Sequence, residues 1–302
     1  MYESLKKNSD DFHLYIYALD DTSSELLKRL ELENVSVVSF GELEDAELLA
    51  IKPTRSAGEY CWTCTPSTIM YSIKKFGLDS CTYLDADLYF YSNPDVLIEE
   101  MGNKSVLITE HRYTPEYDQS ATSGIYCVQF MTFKNDINGM KVLEWWRSAC
   151  NDWCFARFED GKFGDQKYLD DWMSRFDGVH ELQNLGGGVA PWNVQQYDLN
   201  DSSFELVFYH FHNFKLLENN KVELGGYKLS NEVIDKLYKP YIKHLDDLTE
   251  KLKEFDNKND YNGIVKKESY HWKDTLRYVK RKINGSYNIF DKNKLMEIKW
   301  HI

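Results

Sequence analysis

The apolar positions in the first part of the chain follow two periods that alternate along the sequence. Residues 12–20 and 35–40 place apolar side chains at every second position, which is typical of β-strands. Between them, residues 23–33 place leucines on one face of a helix. Alternation of strand and helix predicts an α/β domain with a mostly parallel sheet that is flanked by helices.

The stretch from 81 to 94 reads as a buried strand that ends in two carboxylates. Uncharged strand formers at 82–84 lead directly into Asp85-Ala86-Asp87. Side chains at positions i and i+2 of an extended chain point to the same side, so both carboxylates can share a hard divalent cation. A diphosphate is the natural partner of such a cation.

A second set of candidate ligands lies in the strand predicted over residues 206–214. The period of two places His210 and His212 on one face of this strand. A lone histidine is usually a hydrogen-bonded structural group. Two histidines that accompany a separate acidic pair favour a ligand role, because an Asp, Asp, His set suits Mn²⁺, with Mg²⁺ as the alternative.

A glycine-rich segment occupies residues 186–193. Its three glycines would let the backbone approach a ligand closely, and Pro191, Trp192 and Asn193 would shape the turn that follows. The segment lacks the GK[ST] end of a P-loop, so nucleotide hydrolysis is not indicated.

Two further groups of polar residues have both functional and structural interpretations. Lys52 and Arg55 lie on a loop before a helix predicted to start at Thr65, and they could hold phosphate oxygens or simply be solvated. Asp165 and Gln166 begin another helix, where an acid also stabilises exposed backbone N–H groups.

Charge is distributed unevenly. The formal net charge of −13 argues against a general nucleic-acid binder. Residues 262–302 are nevertheless basic, with ten Lys or Arg against four acids. Within them Trp272, Leu276, Val279 and Ile283 form an apolar stripe. This amphipathic helix either packs on the domain or contacts an anionic membrane surface. We predict a domain over 1–229 and a helical extension over 230–302.

The chain has no apolar run near the ~20 residues that span a bilayer, and its first residues contain no signal-peptide core, which predicts a cytoplasmic protein. Reduced thiols are therefore expected, with a zinc site as the alternative for two cysteine pairs. The six cysteines are Cys61, Cys64, Cys81, Cys127, Cys150 and Cys154.

Six motifs in order resemble the bacterial nucleotide-diphospho-sugar glycosyltransferases of the GT-A fold that occur with capsule and lipopolysaccharide genes. The resemblance covers residues 1–240 approximately. The motifs are EYCWTCTP (59–66), TYLDADLYFYSNP (82–94), SGIYCVQFMTFKND (123–136), FGDQKYLDDW (163–172), GGGVAPWNVQQY (186–197) and HFHNFK (210–215).

The resemblance implies roles for individual residues. The Asp85-Ala86-Asp87 motif would meet metal, ribose and diphosphate, and His210 would be a further metal ligand, with His212 as its alternative. Asp165 and Gln166 would lie against the donor sugar as catalytic residues. The remaining residues assigned to donor binding are Lys52, Arg55, Gly188, Trp192, Asn193 and Lys215.

The implied activity is metal-dependent transfer of a sugar, with retention of configuration, from a nucleotide-diphosphate donor to a glycan or lipid-linked hydroxyl. The predicted location is the cytoplasm, and contact with the inner face of the membrane is the alternative that the basic segment 262–302 raises. Two departures stand against this. Relatives carry a first strand beside the Asp-x-Asp strand, whereas this sequence begins inside the helix that follows it, which indicates either a misassigned start or a truncated domain. In addition, Cys127 replaces a frequent Asn. The alternative is an inactive nucleotide- or sugar-binding relative. A nucleotidyltransferase is disfavoured because its glycine-rich phosphate loop is absent.

Overall fold

Helices and strands alternate through most of the chain in a computed structural model that describes residues 1–257, 263–266 and 272–298. The strands are β1 (Leu14–Ala18), β2 (Val35–Ser39), β3 (Ser80–Leu84), β4 (Leu88–Phe90), β5 (Val106–Glu110), β6 (Tyr126–Lys134), β7 (Val179–Glu181), β8 (Phe208–His210), β9 (Lys215–Leu217), β10 (Lys221–Glu223) and β11 (Ile289–Asp291). The helices are α1 (Tyr2–Asn8), α2 (Asp21–Arg29), α3 (Phe40–Leu43), α4 (Ala46–Ile51), α5 (Ala57–Phe76), α6 (Asp95–Glu100), α7 (Ser120–Ser123), α8 (Ile137–Asp152), α9 (Trp172–Arg175), α10 (Asn231–Val233), α11 (Lys239–Phe255), α12 (Trp272–Ile283) and α13 (Lys292–Glu297).

The main sheet has four strands in the order β3-β6-β5-β7. Strand β6 runs antiparallel to both β3 and β5, and β7 runs parallel to β5. Three of the four strands therefore share one direction. A separate parallel pair is formed by β1 and β2. The prediction of an α/β fold with a mostly parallel sheet flanked by helices is confirmed.

Strands β1 and β3 do not pair with each other in the described part of the chain, and each is the outer strand of its own sheet. A cavity of about 1000 Å³ is lined by residues of both strands and by α5.

Long amphipathic helices cover the main sheet. Helices α5 and α8 pack against each other, and a core of aliphatic and aromatic residues lies between them and the sheet. Trp146 is fully buried and stacks on Phe133 of β6, with ring centroids 6.0 Å apart. Trp172 is equally buried and meets Trp146 edge to face. Both tryptophans are therefore core residues.

Helix α5 begins earlier than the sequence pattern predicts. Ser56 caps it at the N-terminus through a capping box with Glu59, and Pro66 lies inside the helix rather than in its first turn. The predicted start at Thr65 is therefore wrong, because the capping box stabilises a start one residue after Ser56.

The last third of the chain combines helices with a small sheet. Strand β11 pairs antiparallel with β10, which pairs antiparallel with β9. A second apolar core joins Val189 and Tyr209 to Tyr238, Ile242 and Leu295. Within the described residues, every helix is too short or too polar to cross a bilayer.

Candidate functional site

Two carboxylates and one imidazole converge at the end of β3. The chain leaves β3 at Asp85, whose backbone N–H donates to the carbonyl of Gln129, and continues into β4, which belongs to a separate two-stranded sheet. Strand β4 pairs with β8 in a register that sets Leu88 opposite His210. This ladder brings His210 Nε2 to 3.0 Å from Asp87 Oδ1 and 3.7 Å from Asp85 Oδ2.

The three side chains form a donor set for a divalent cation. One ligand atom from each of Asp85, Asp87 and His210 lies within 4.8 Å of the others. Two carboxylates and one imidazole combine hard and borderline donors, which suits Mn²⁺ or Mg²⁺. Both carboxylates stay partly exposed to the cavity, whereas His210 is buried beneath them. The residues present therefore fit the predicted metal.

Burial and mutual charge set the ionisation of this cluster. Burial raises the pKa of Asp85. For His210, burial favours the neutral ring, but the carboxylates of Asp87 and Asp85 outweigh it and raise its pKa well above the ordinary value. Burial and the neighbouring charge of His210 lower the pKa of His212 to about 4. His212 thus lines the cavity as a neutral ring, outside the three-residue cluster.

Gln129 on β6 orients the ring of His210 from behind. Its Oε1 lies 2.7 Å from Nδ1 of His210, so Nδ1 carries the hydrogen and Nε2 faces the two carboxylates. The Nε2 atom of Gln129 is buried and has no hydrogen-bond partner among the described residues. Gln129 was not among the predicted site residues, because it lies in an apolar strand and nothing nearby in sequence marks it.

Asp165 and Gln166 lie on the same cavity as the metal-ligand cluster. Burial, and then the charge of Asp85, raise the pKa of Asp165 to about 7. Its backbone carbonyl accepts a hydrogen bond from Trp146 Nε1 at 2.9 Å, which ties the residue to the core. Gln166 Nε2 donates to the carbonyl of Ser123 at 2.6 Å. Near neutral pH, Asp165 can therefore exist as the acid or as the carboxylate.

An aromatic wall closes the cavity beside the two histidines. The ring of Trp192 lies edge to face with His210 and His212, at centroid distances of 5.5 and 5.2 Å. Trp192 Nε1 donates to the carbonyl of His111 at 2.8 Å. Tyr113 and Tyr227 extend this wall. A flat apolar surface with polar groups nearby can pack against a sugar ring.

Asn193 and Gly188 lie behind this wall and do not line the cavity. The side chain of Asn193 is fully buried; it accepts from Ala190 N–H and donates to the carbonyls of His111 and Gly188. A Cβ on Gly188 would lie 2.8 Å from Thr109 Cγ2. The close approach that these glycines permit is therefore to the protein's own strands.

None of the three predicted basic residues lines the cavity. Lys52 forms an ion pair with Glu44 at 2.5 Å. The guanidinium of Arg55 stacks on Phe155, 3.9 Å from the ring centroid, and donates to Asn151. Lys215 is exposed at the start of β9.

The six cysteines are free thiols. Among the described residues, Asp85, Asp87 and His210 are the one group of three or more His, Cys, Asp or Glu side chains that could hold a metal. The alternative of a zinc site built from cysteine pairs is therefore not supported.

Comparisons with known proteins give distant structural likenesses and two closer sequence relatives. No family model matches the sequence. Among solved structures, mouse xyloside xylosyltransferase 1 in its apo form gives a TM-score of 0.45 at 15% identity, covering 70% of this chain and 90% of that chain. A glycosyltransferase involved in glycosylation of the major capsid of PBCV-1 gives 0.38 at 13% identity, covering 66% and 94%. Both are distant likenesses.

The sequence relatives are closer. YfnF of Bacillus subtilis (strain 168) is 30% identical over 240 residues, which covers 74% of this chain and 79% of YfnF. YfnD of the same organism is 31% identical over 261 residues, which covers 81% of this chain and 83% of YfnD. The chain belongs to the same protein family as YfnD and YfnF.

Proposed function

We propose that the protein is a metal-dependent glycosyltransferase that moves a sugar from a nucleotide-diphosphate donor to a hydroxyl of a glycan or lipid-linked acceptor. The observation that carries the proposal is the convergence of Asp85, Asp87 and His210 on a large cavity with an aromatic wall. A cation held by carboxylates can bind a diphosphate, and an aromatic wall can pack against a sugar ring. Both kinds of group line the same cavity.

Asp85, Asp87 and His210 would hold Mn²⁺ or Mg²⁺, which supplies positive charge to offset the charge that develops on the leaving diphosphate. Asp85 and Asp87 hold one side of the donor at the end of β3. Trp192 excludes water from the side of the two histidines, because its ring packs against both of them. Electrostatic interactions are strengthened when water is excluded in this way.

Transfer with retention of configuration fits the residues that surround this cavity. In a retaining reaction of this type, the acceptor hydroxyl enters on the face of the sugar from which the phosphate leaves. The leaving phosphate then accepts the proton of that hydroxyl, so no side chain has to act as the base. Asp165 would act as a hydrogen-bonding partner of the donor sugar in its protonated form, which is populated near neutral pH because burial and the charge of Asp85 raise its pKa to about 7. We expect a retained product anomer by NMR. An inverted product would contradict this part of the proposal.

Donor binding can be tested with a thermal-shift panel of UDP, GDP, ADP and CDP, each with and without Mn²⁺. We expect one nucleoside diphosphate to stabilise the protein, and only in the presence of the metal. Saturation at about 100 times the dissociation constant would add about 2.7 kcal/mol to the free energy of unfolding. No shift with any combination would contradict a working donor site.

Turnover separates the enzyme from the inactive alternative. The same nucleotide, supplied as its sugar conjugates, should release nucleoside diphosphate over time when Mn²⁺ and candidate glycan acceptors are present. Metal-dependent stabilisation without release from any conjugate would favour a nucleotide- or sugar-binding protein.

A further inference from the structure

Helix α12 presents one face to the domain and the opposite face to solvent. On the domain side, Arg281 forms an ion pair with Glu223 of β10, and its guanidinium lies against Gly226. The chain after α12 enters β11, which pairs with β10. The helix is therefore held on the domain at two points, and its orientation is set by Arg281.

An apolar stripe lies on the opposite face. At about 100° per residue, Trp272, Leu276, Val279 and Ile283 fall within about 60° of one another, and Arg281 lies about 170° from their centre. Their exposed fractions are 63%, 58%, 45% and 79%. The predicted alternative, in which this stripe packs on the domain, does not hold, because Arg281 occupies the domain-facing side.

Two lysines flank this stripe. By the same helical geometry, Lys280 projects about 70° to one side of its centre and Lys282 about 90° to the other. Lys280 is exposed, and Lys282 Nζ lies over the ring of Tyr287, 4.2 Å from its centroid. The chain as a whole carries a net charge of −13. A positive border around an apolar stripe is thus a local exception on an acidic protein.

We propose that the stripe Trp272, Leu276, Val279 and Ile283 inserts into an anionic membrane surface while Lys280 and Lys282 bind the lipid headgroups. Apolar side chains with basic residues on both sides are the arrangement of a helix that lies in the plane of a membrane interface. Long lysine side chains can reach the headgroups while their stems cover apolar surface.

A lipid surface fits these observations better than a second protein chain. Four side chains offer much less area than the roughly 800 Å² that each partner buries in a standard protein interface. Interface cores are also depleted in lysine. A membrane needs no matching shape, and it supplies the negative charge that the two lysines complement. This inference does not depend on the proposed reaction.

The test is co-sedimentation of the full chain with phosphatidylcholine vesicles, with and without phosphatidylglycerol. We expect the protein to pellet with the anionic vesicles and to remain in solution with phosphatidylcholine alone. The double variant Leu276→Ser, Ile283→Ser should lower the partition coefficient at least about tenfold. The variant Lys280→Gln, Lys282→Gln should lower it by about fivefold per lysine at low salt, and less at high salt.

The matched control is Ile137→Ser, Leu49→Ser, which removes two exposed apolar side chains from other helices. This control should pellet like the unmodified protein. Circular dichroism of each variant checks that the helices remain folded. Failure of the unmodified protein to pellet with anionic vesicles, or unchanged pelleting of Leu276→Ser, Ile283→Ser, would overturn the proposal. A dimer in sedimentation velocity that becomes a monomer in that variant would assign the stripe to a second copy and overturn it as well.

Discussion

Replacing Asp87 with Asn should remove Mn²⁺-dependent nucleotide binding and lower the transfer rate by at least about 10³-fold, because a cation in such a site supplies several kcal/mol of charge stabilisation. Asp87 is the carboxylate nearest to His210 Nε2, at 3.0 Å. The substitution keeps the shape of the side chain and removes its charge. Asp85→Asn should have an effect of the same order.

Isothermal titration with Mn²⁺, followed by the transfer assay, measures both effects. Asp10→Asn is the matched control, since Asp10 is exposed and does not line the cavity. It should behave as the unmodified protein. Metal-dependent turnover that survives Asp87→Asn would place the cation elsewhere.

A variant that keeps Asp85, Asp87 and His210 tests the hydrogen bond that orients the histidine ring. Gln129→Met removes the acceptor that orients His210 and should weaken Mn²⁺ binding by about 10- to 100-fold. The free energy of unfolding without metal should hardly change, because the substitution also removes a buried amide nitrogen that has no partner among the described residues. Equal losses of stability and affinity would instead make Gln129 a general packing residue.

Replacing Gly186 with Ala should lower the free energy of unfolding by at least about 2 kcal/mol, which is within the range of overpacking effects. A Cβ built on Gly186 lies 2.0 Å from the backbone carbonyl oxygen of Glu205, and a backbone atom cannot move aside as a flexible side chain can. Urea denaturation without metal or nucleotide measures the change.

Gly58→Ala is the comparison for that variant. Gly58 lies in α5, and a Cβ there meets nothing within 4 Å. An alanine should leave stability unchanged or raise it by up to about 1 kcal/mol, because alanine favours helix. If Gly186→Ala were as stable as Gly58→Ala, the close packing against Glu205 would be of no energetic consequence.

The parts of the site that follow from local pattern were predictable from sequence. Asp85 and Asp87 stand two apart at the end of an uncharged strand, and His210 stands in another strand. Spacing alone places these side chains on defined faces. Their meeting depends on the pairing of β4 with β8, which local pattern does not predict. The resemblance implied that His210 is a further metal ligand, but not the strand pairing that brings it there.

Contacts between distant strands were not predictable in the same way. Gln129 lies in β6, where every neighbour in sequence is buried, so nothing distinguishes it from a core position until His210 packs against it. The glycines at 186–188 predict that another group approaches the backbone closely, but the sequence does not identify that group. The structure shows that they approach Glu205, Leu182, Leu97 and Thr109.

The short β4–β8 ladder sets Leu88 opposite His210, and the carboxylates of the cluster come immediately before β4. Opening this ladder would carry His210 away from Asp87. A cation bound by both strands and a closed ladder must therefore favour each other by the same free energy, as thermodynamic linkage requires. The protection of the backbone amides of this ladder against hydrogen exchange should therefore rise with the fraction of molecules that hold a cation.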